Sequence, residues 1–492
     1  MARITLSWVV STTVAAGLAS GCLPSLLGNV SRNANVNLPA SFDRTGPAQD
    51  VPAIKATSEA QKTWDEFFSS KDLRSLINTA LRNNQELNIR LQEIIISRNE
   101  VTARQGEYLP QLNAGAGSGL EKVGKYTSQG ASDEDHGLPE NLGNFSFGLN
   151  GSWEIDIWNK LQNAARAAHS RYFATAEARH FVMTELIAEL ARSYYELITL
   201  DNQLDILRRN IEIQANALDV VKLLKRAGRT TKLAVQRFEA ELLRNRSRQF
   251  DIEQQRVVLE NRINFLVGRW PQAVSRKPLD LQQPPLELLQ TGLPAQLLEN
   301  RPDVRGAALE LEAARLDVKA AKAAFYPAVK IDAGLGFRAF NPLHLLAPES
   351  LMYGLAGSIS APLLNRSGIT AQYRTANALQ IQAVYNYEKT VLQAFTDVAN
   401  QIALHDNLKR AYELQSKQVE TLAAAVETSG VLFQSARADY MEVLLTRRDS
   451  LDAEMELVEL RKGQFQVMVS IYQSLGGGWR PDQDARKEGR PP

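Results

Sequence analysis

The chain has 492 residues, and chains beyond roughly 250–300 residues split into more than one packed unit. Its 56 Lys and Arg against 55 Asp and Glu give a net charge of +1, so nothing draws the whole chain toward nucleic acid or an anionic surface. The one cysteine, Cys22, excludes an intrachain disulfide and any cysteine-based metal cluster or redox pair.

Residues 1–21 read as a secretory signal. Arg3 gives a short positive start, Ile4 to Leu18 is an apolar run broken by Ser and Thr, and Ala19, Ser20 and Gly21 are small residues before Cys22. The run is too short and interrupted to span a membrane. Leu18 to Cys22 resembles a bacterial lipobox, with Leu one place earlier than the commonest arrangement, and this implies that Cys22 is acylated. Several acyl chains, at about 0.8 kcal/mol per buried CH₂, make a stable anchor. Leu23, in place of an aspartate, favours sorting to the outer membrane. Residues 22–70 form an acylated linker rich in Pro, Asn and Ser.

The rest of the chain repeats itself. Leu81–Asn84 aligns with Leu298–Arg301, Tyr108–Pro110 with Phe325–Pro327, Gly148–Ser152 with Gly354–Ser358, and Asn159 with Asn365. Gly268–Pro271 and Gly477–Pro481 end the two copies, expected over 71–292 and 293–480, before a polar tail at 481–492. Each copy reads as a helix, two strands and two long helices.

Strands are expected over 109–122, 143–158, 327–341 and 351–364, because these segments alternate with period two. Phe145, Phe147, Leu149, Trp153 and Ile155 share one face, and Ser146, Asn150, Ser152 and Glu154 share the other. Val329, Ile331, Leu335 and Phe337 likewise oppose Lys330, Asp332 and Arg338. Such strands fit a barrel wall between lipid and water, but four cannot close one, so several chains are needed. The polar loops near 121–143 and 341–350 are expected to face outside.

Long helices are expected over 160–226, 231–268, 366–434 and 440–475, from apolar residues at three- and four-residue steps. A continuous helix over 160–226 reaches roughly 100 Å at 1.5 Å per residue, a length that suits a coiled-coil wall.

With these elements stand Trp64 and Phe67, LRNN at 81–84, SWEIDIW at 152–158, RPDV at 301–304, AAFYP at 323–327, APLL at 361–364 and LGGGW at 475–479. In this order the set resembles the outer-membrane efflux protein family, the TolC-like and OprM-like exit ducts. The resemblance implies a homotrimer in which four strands per chain build a 12-stranded outer-membrane β-barrel. A periplasmic α-helical coiled-coil barrel continues it, giving a mixed α and β membrane protein. It implies further a passive last stage served by a periplasmic adaptor and an inner-membrane pump of the RND type, with type I secretion as an alternative. No cofactor is implied beyond the covalent lipid, and no nucleic acid.

The helical hairpins turn at Arg226, Gly228, Arg229 and Thr230, and again at Ala436 and Arg437. In the family such turns form the periplasmic tip that the adaptor grips. Met441, Leu445 and Arg448 fall where related ducts place an apolar constriction, an aspartate and an arginine. Leu445 departs from the aspartate, and Glu427 or Asp439 could supply the carboxylate instead. Met441 and Leu445 also fit coiled-coil core, the reading we prefer for Leu445. In a symmetric assembly one lumen-facing Arg becomes a ring of like charges.

Enzyme readings fare poorly. His136, His169, His180, His344 and His405 lack metal spacing, and Gly115–Gly119 lacks the lysine of a phosphate loop. A lipid-anchored coiled-coil adhesin or scaffold is the main rival, and it leaves the four strands without a purpose.

Overall fold

A computed structural model describes residues 32–39, 41–42, 62–277, 294–364, 366–435 and 437–479. The expected signal at 1–21, Cys22, Ala436 and the tail at 481–492 lie outside the described residues.

In chain order the described elements begin with α1 (Trp64–Phe67), α2 (Lys71–Asn83), α3 (Gln85–Glu107), β1 (Gln111–Glu121), α4 (Ser128–Asp135) and β2 (Leu142–Ile155). The long helices α5 (Lys160–Arg226) and α6 (Lys232–Val267) follow. The order then recurs with α7 (Leu297–Asn300), α8 (Pro302–Ala323), β3 (Ala328–Ala339), β4 (Leu351–Ser360), α9 (Ser367–Gln434) and α10 (Tyr440–Ser474). The fold is therefore mixed α and β, with long helices and one small antiparallel sheet. Helix α4 lies inside the segment expected to be only a polar loop.

Two compact units are present, one made from 1–34, 94–175 and 307–387, the other from 35–93, 176–306 and 388–492. They do not coincide with the two repeats, because each draws on both. In the first unit this follows from strand pairing: the order is β1-β2-β3-β4, and the central β2–β3 pair joins strands from different repeats.

Local chemistry sets the turn from sheet into helix in the first unit. Asn159 takes a left-handed φ of 55°, a conformation asparagine tolerates. The Asp156 carboxylate accepts from the Gln162 amide (2.8 Å), satisfying a free donor at the start of α5. The indole of Trp158 donates to Pro327 O (2.8 Å) and stacks on Tyr326, while the indole of Trp153 donates to Tyr108 O (3.1 Å).

Helix α5, which belongs to the second unit from residue 176 onward, carries no proline or glycine across its 67 residues, so nothing interrupts its ladder. Leu186, Leu190, Tyr194 and Leu197 pack into a core with Leu73, Ile77, Ile263 and Val469. Ser70 caps α2 by accepting from the Leu73 amide (3.3 Å). Gly268 and Gly476 end α6 and α10 at φ +74° and +86°. A Cβ at Gly268 would lie 2.4 Å from Asn83 O, and one at Gly476 would lie 2.5 Å from Asn300 O. The same helix end thus meets the same junction in both repeats, and only glycine fits.

Candidate functional site

The sheet of the first unit sorts its side chains by chemistry. Partners directly opposite one another share a face, so the register assigns each row. Ala116, Phe147, Phe337 and Leu351 form one row, and Ala114, Leu149, Leu335 and Tyr353 the next. Leu112 and Leu355 then flank Gly151 and Ala333, and Ile155, Val329 and Ile359 close the same face. The other face holds Asn113 with Asn150, then Gln111, Ser152 and Asp332, then Glu154, Lys330 and Ser358. There Arg338 donates to the Asn144 side chain (2.9 Å), and Glu154 pairs with Lys160.

The apolar face is bare. Leu112, Leu335, Tyr353, Leu355 and Ile359 are all more than half exposed, and a soluble protein seldom leaves a patch this large in water. On the polar face β2 and β3 close on each other, since a Cβ at Gly148 would lie 2.7 Å from Gly336 Cα. That is the side a curling sheet shortens. The strands have 11, 14, 12 and 10 residues. At about 3.3 Å per residue ten residues span roughly 33 Å, and tilted by about 40° they cover the ~25 Å apolar band of a membrane barrel.

Both edges are open within this chain, since β1 pairs with β2 and β4 with β3. Unpaired edges cannot stand in hydrocarbon, where each orphan backbone group costs several kcal/mol. Among the described residues no helix is long and apolar enough to cross a membrane, which says nothing of a barrel. Between β1 and β2, Lys122 pairs with Glu140 (2.7 Å) and Lys125 with Glu134 (3.6 Å) at the ends of the acidic helix α4.

The hairpin turns lie in the second unit. Gly228 reverses the chain at φ +69°, with its amide on Lys225 O (3.0 Å) and the Arg229 amide on Leu224 O (2.9 Å). Arg226, Gly228 and Arg229 are exposed, and Thr230 is half-buried. Thr231 caps α6 by accepting from the Ala234 amide (3.2 Å). In the second turn Arg437 is exposed, its amide bonded to Leu432 O (2.8 Å), and Asp439 is the exposed N-cap of α10.

Past that turn, Tyr440 and Leu444 pack on Leu218 and Val221 of α5 and on Phe238 and Leu242 of α6. Met441, Leu445 and Arg448 follow at steps of four and three and so share another face. Leu445 is 39% exposed and does not join this chain's own core. Its neighbour Leu444 takes that place, and Leu445 is turned about 100° away along the helix. Arg448 pairs with Asp449 (3.1 Å), a carboxylate not singled out from the sequence. Arg237 of α6 donates to the Met441 sulfur (2.8 Å), and Arg248 pairs with Asp452 (3.1 Å). These contacts join helices of different repeats, so no local pattern announces them. Glu427 is exposed on α9. No group of three or more His, Cys, Asp or Glu among the described residues could hold a metal ion.

Comparison with known proteins gives this geometry a setting. The profile of the outer membrane efflux protein family matches residues 76–269 and 293–477, one segment in each repeat. The chain is 30% identical over 485 residues to the pyoverdine export outer membrane protein OpmQ of Pseudomonas aeruginosa, covering 96% of this chain and 98% of that one. It is 28% identical over 453 residues to the cation efflux system protein CusC of Escherichia coli, covering 89% and 95%. Among solved structures, the outer-membrane channel OprN superposes with a TM-score of 0.81 at 24% identity, covering 92% of this chain and 100% of that one. Two profile segments spanning most of the sequence and a relative matched from end to end place the assignment beyond the fold alone: the chain belongs to the outer membrane efflux protein family.

Proposed function

We propose that this outer-membrane efflux protein is the passive exit duct of a tripartite pump, and that three copies pool their strands into a 12-stranded barrel. The observation that carries the reading is the four-stranded sheet with an apolar face, a charged face and two open edges. Lipid suits the first face, water the second, and sister strands the edges. A trimer supplies the strands, because four fall short of the roughly eight that the smallest membrane barrels use.

In this reading the apolar rows meet lipid, while Asn150, Ser152, Glu154, Lys330 and Asp332 line a wet lumen. Aromatic groups at the base of the strands, Trp153, Trp158 and Tyr326, mark the boundary with water. Cys22 carries the lipid anchor. Arg226, Gly228, Arg229, Thr230, Ala436 and Arg437 form the periplasmic tip that meets the adaptor. Met441, Leu445 and Arg448 narrow the tunnel, with Asp449, Glu427 and Asp439 as the nearby carboxylates. The chain carries out no covalent chemistry, and an inner-membrane pump of the RND type supplies the energy. Cargo is set upstream: OpmQ is named for pyoverdine export and CusC for cation efflux, two unlike chemistries for ducts of one family.

Planar-bilayer recording of the purified full chain tests the proposal. Stepwise, long-lived conductance from a heat-modifiable oligomer is expected, and a monomer without conductance would refute it. Palmitate label that persists in a Cys22→Ser variant would remove the anchor from the account.

A further inference from the structure

The two loops at the end of the sheet away from the long helices have opposite chemistry. Between β1 and β2 the loop is charged, with the Lys122–Glu140 and Lys125–Glu134 pairs flanking the acidic helix α4. Between β3 and β4, residues 339–348 contain no Lys, Arg, Asp or Glu. There Phe340, Leu343 and Leu346 are 60%, 88% and 74% exposed. A loop expected to be polar is thus an apolar knob, and water is a poor solvent for it.

The knob also satisfies most of its own backbone. The Asn341 side chain accepts from the Leu343 amide (3.0 Å), and its carbonyl accepts from the His344 amide (3.1 Å). The amides of Leu345, Ala347 and Ser350 donate to Pro342 O (3.3 Å), His344 O (3.0 Å) and Ala347 O (3.0 Å), and the Ser350 hydroxyl adds a bond to His344 O (2.6 Å). Pro342 and Pro348 open the two 3₁₀ turns and have no amide to satisfy. A loop in water can leave such groups to solvent, whereas one that enters the edge of the hydrocarbon must bond them internally. Turns of this kind bring side chains three apart to one side, here Leu343 and Leu346. The apolar surface then runs on into the sheet, because Leu351 and Tyr353 at the start of β4 share the apolar face with Phe337 and Leu335. The polar face near this end instead presents Arg338 bonded to Asn144.

We propose that the β3–β4 knob is an interfacial membrane anchor, with Phe340, Leu343 and Leu346 seated among the acyl chains at the edge of the bilayer while α4 stays in water. The proposal rests on the reading that the apolar face of the sheet meets lipid. It carries that contact past the ends of the strands and divides the two loops between two solvents.

Fluorophores on single introduced cysteines in the full-length protein, reconstituted in phosphatidylcholine vesicles, test this. The unsubstituted chain, whose only thiol is Cys22, gives the background. Quenching by lipids that carry a spin label on the acyl chain is compared with quenching by aqueous iodide. Labels at Leu343→Cys and Leu346→Cys should behave like one at Leu355→Cys on the apolar face. Their ratio of lipid to iodide quenching should exceed that at Tyr126→Cys, fully exposed on the charged loop, at least fivefold. A label at Phe340→Cys should lose this preference when Leu343→Asp and Leu346→Asp are added, with helix content and oligomer size unchanged. If Leu355→Cys is quenched by lipid but the two knob sites respond to iodide as Tyr126→Cys does, or to neither quencher, the anchor is wrong while the reading of the sheet stands. If Leu355→Cys is not quenched by lipid, both fail.

Discussion

Asn84 and Arg301 hold the same place in the two repeats and make the same bond. The Asn84 amide donates to Leu266 O (2.9 Å), and the Arg301 guanidinium donates to Ser474 O (3.0 Å). Each acceptor lies two residues before the glycine that ends its helix, Gly268 or Gly476. Each bond thus ties the end of a long helix to the short helix that opens its own repeat. Arg301 adds a fork to Asp303 (3.0 and 2.7 Å) and a contact to Asp397 (3.3 Å). Burial pulls the Arg301 pKa down, but Asp303 and Asp397 outweigh it and the net direction is up, so the group stays charged.

Removing these anchors should separate them. Arg301→Ala leaves Asp303 without its fork, Ser474 O without its donor and Asp397 with only the bond from Gln393, and should destabilise by about 3–5 kcal/mol, whereas Asn84→Ala should cost about 1–3 kcal/mol. Denaturant unfolding followed by helical circular dichroism checks the order. Equal losses would show that the fork adds nothing.

Three left-handed glycines should respond unequally to alanine. At Gly228 nothing lies within 4 Å of the added Cβ, and backbone strain alone costs about 1 kcal/mol. Gly268→Ala and Gly476→Ala add a collision with Asn83 O or Asn300 O, so each should lose several-fold more. Thermal unfolding of the three variants decides this.

Glu454, half-buried on α10, has its pKa raised by burial, against the opposing pull of Arg209 and a hydrogen bond from Ser450. A raised folded value means that the stabilising contribution is complete below the unfolded value and is lost as pH rises through the folded one. Glu454→Gln should therefore raise the unfolding midpoint at pH 7.5 and leave it unchanged near pH 4. A lower midpoint at pH 7.5 would mean that Arg209 dominates.

Much of the sheet was legible because a strand's period of two puts its chemistry in the sequence. Phe147 against Asn150 predicts the two faces before any pairing is known. The β2–β3 partnership was not legible, since Leu149 meets Leu335 across almost two hundred residues and nothing local encodes that register. Gly476 was readable as a helix stop, but not as the position where α10 touches Asn300. At the proposed constriction, Met441, Leu445 and Arg448 could be placed on one helical face, yet Arg237 emerged only from the packing of α6 on α10, while Asp449, next to Arg448 on the same helix, was there to be read. His180 offers no metal spacing and proves to be a stacking partner of Trp479, at 4.8 Å between ring centroids.

The first hairpin turn is basic and exposed through Lys225, Arg226 and Arg229, so the adaptor surface proposed to meet it should be acidic. Exposed ion pairs contribute up to about 1 kcal/mol each, and Arg226→Glu with Arg229→Glu should weaken binding of the cognate periplasmic adaptor roughly ten- to thirtyfold. Adaptor titration should also show wild-type affinity falling as salt rises. Unchanged affinity would remove this turn from the proposed adaptor contact.

The proposed duct requires one side of the sheet to meet water and the other lipid. Single cysteines along β2, at Phe147, Leu149 and Trp153 on one face and at Ser146, Asn150 and Ser152 on the other, can be probed in outer-membrane vesicles with a membrane-impermeant thiol reagent. Alternating reactivity is predicted, with 146, 150 and 152 labelled and 147, 149 and 153 protected by lipid. Equal labelling of both sets would contradict the duct.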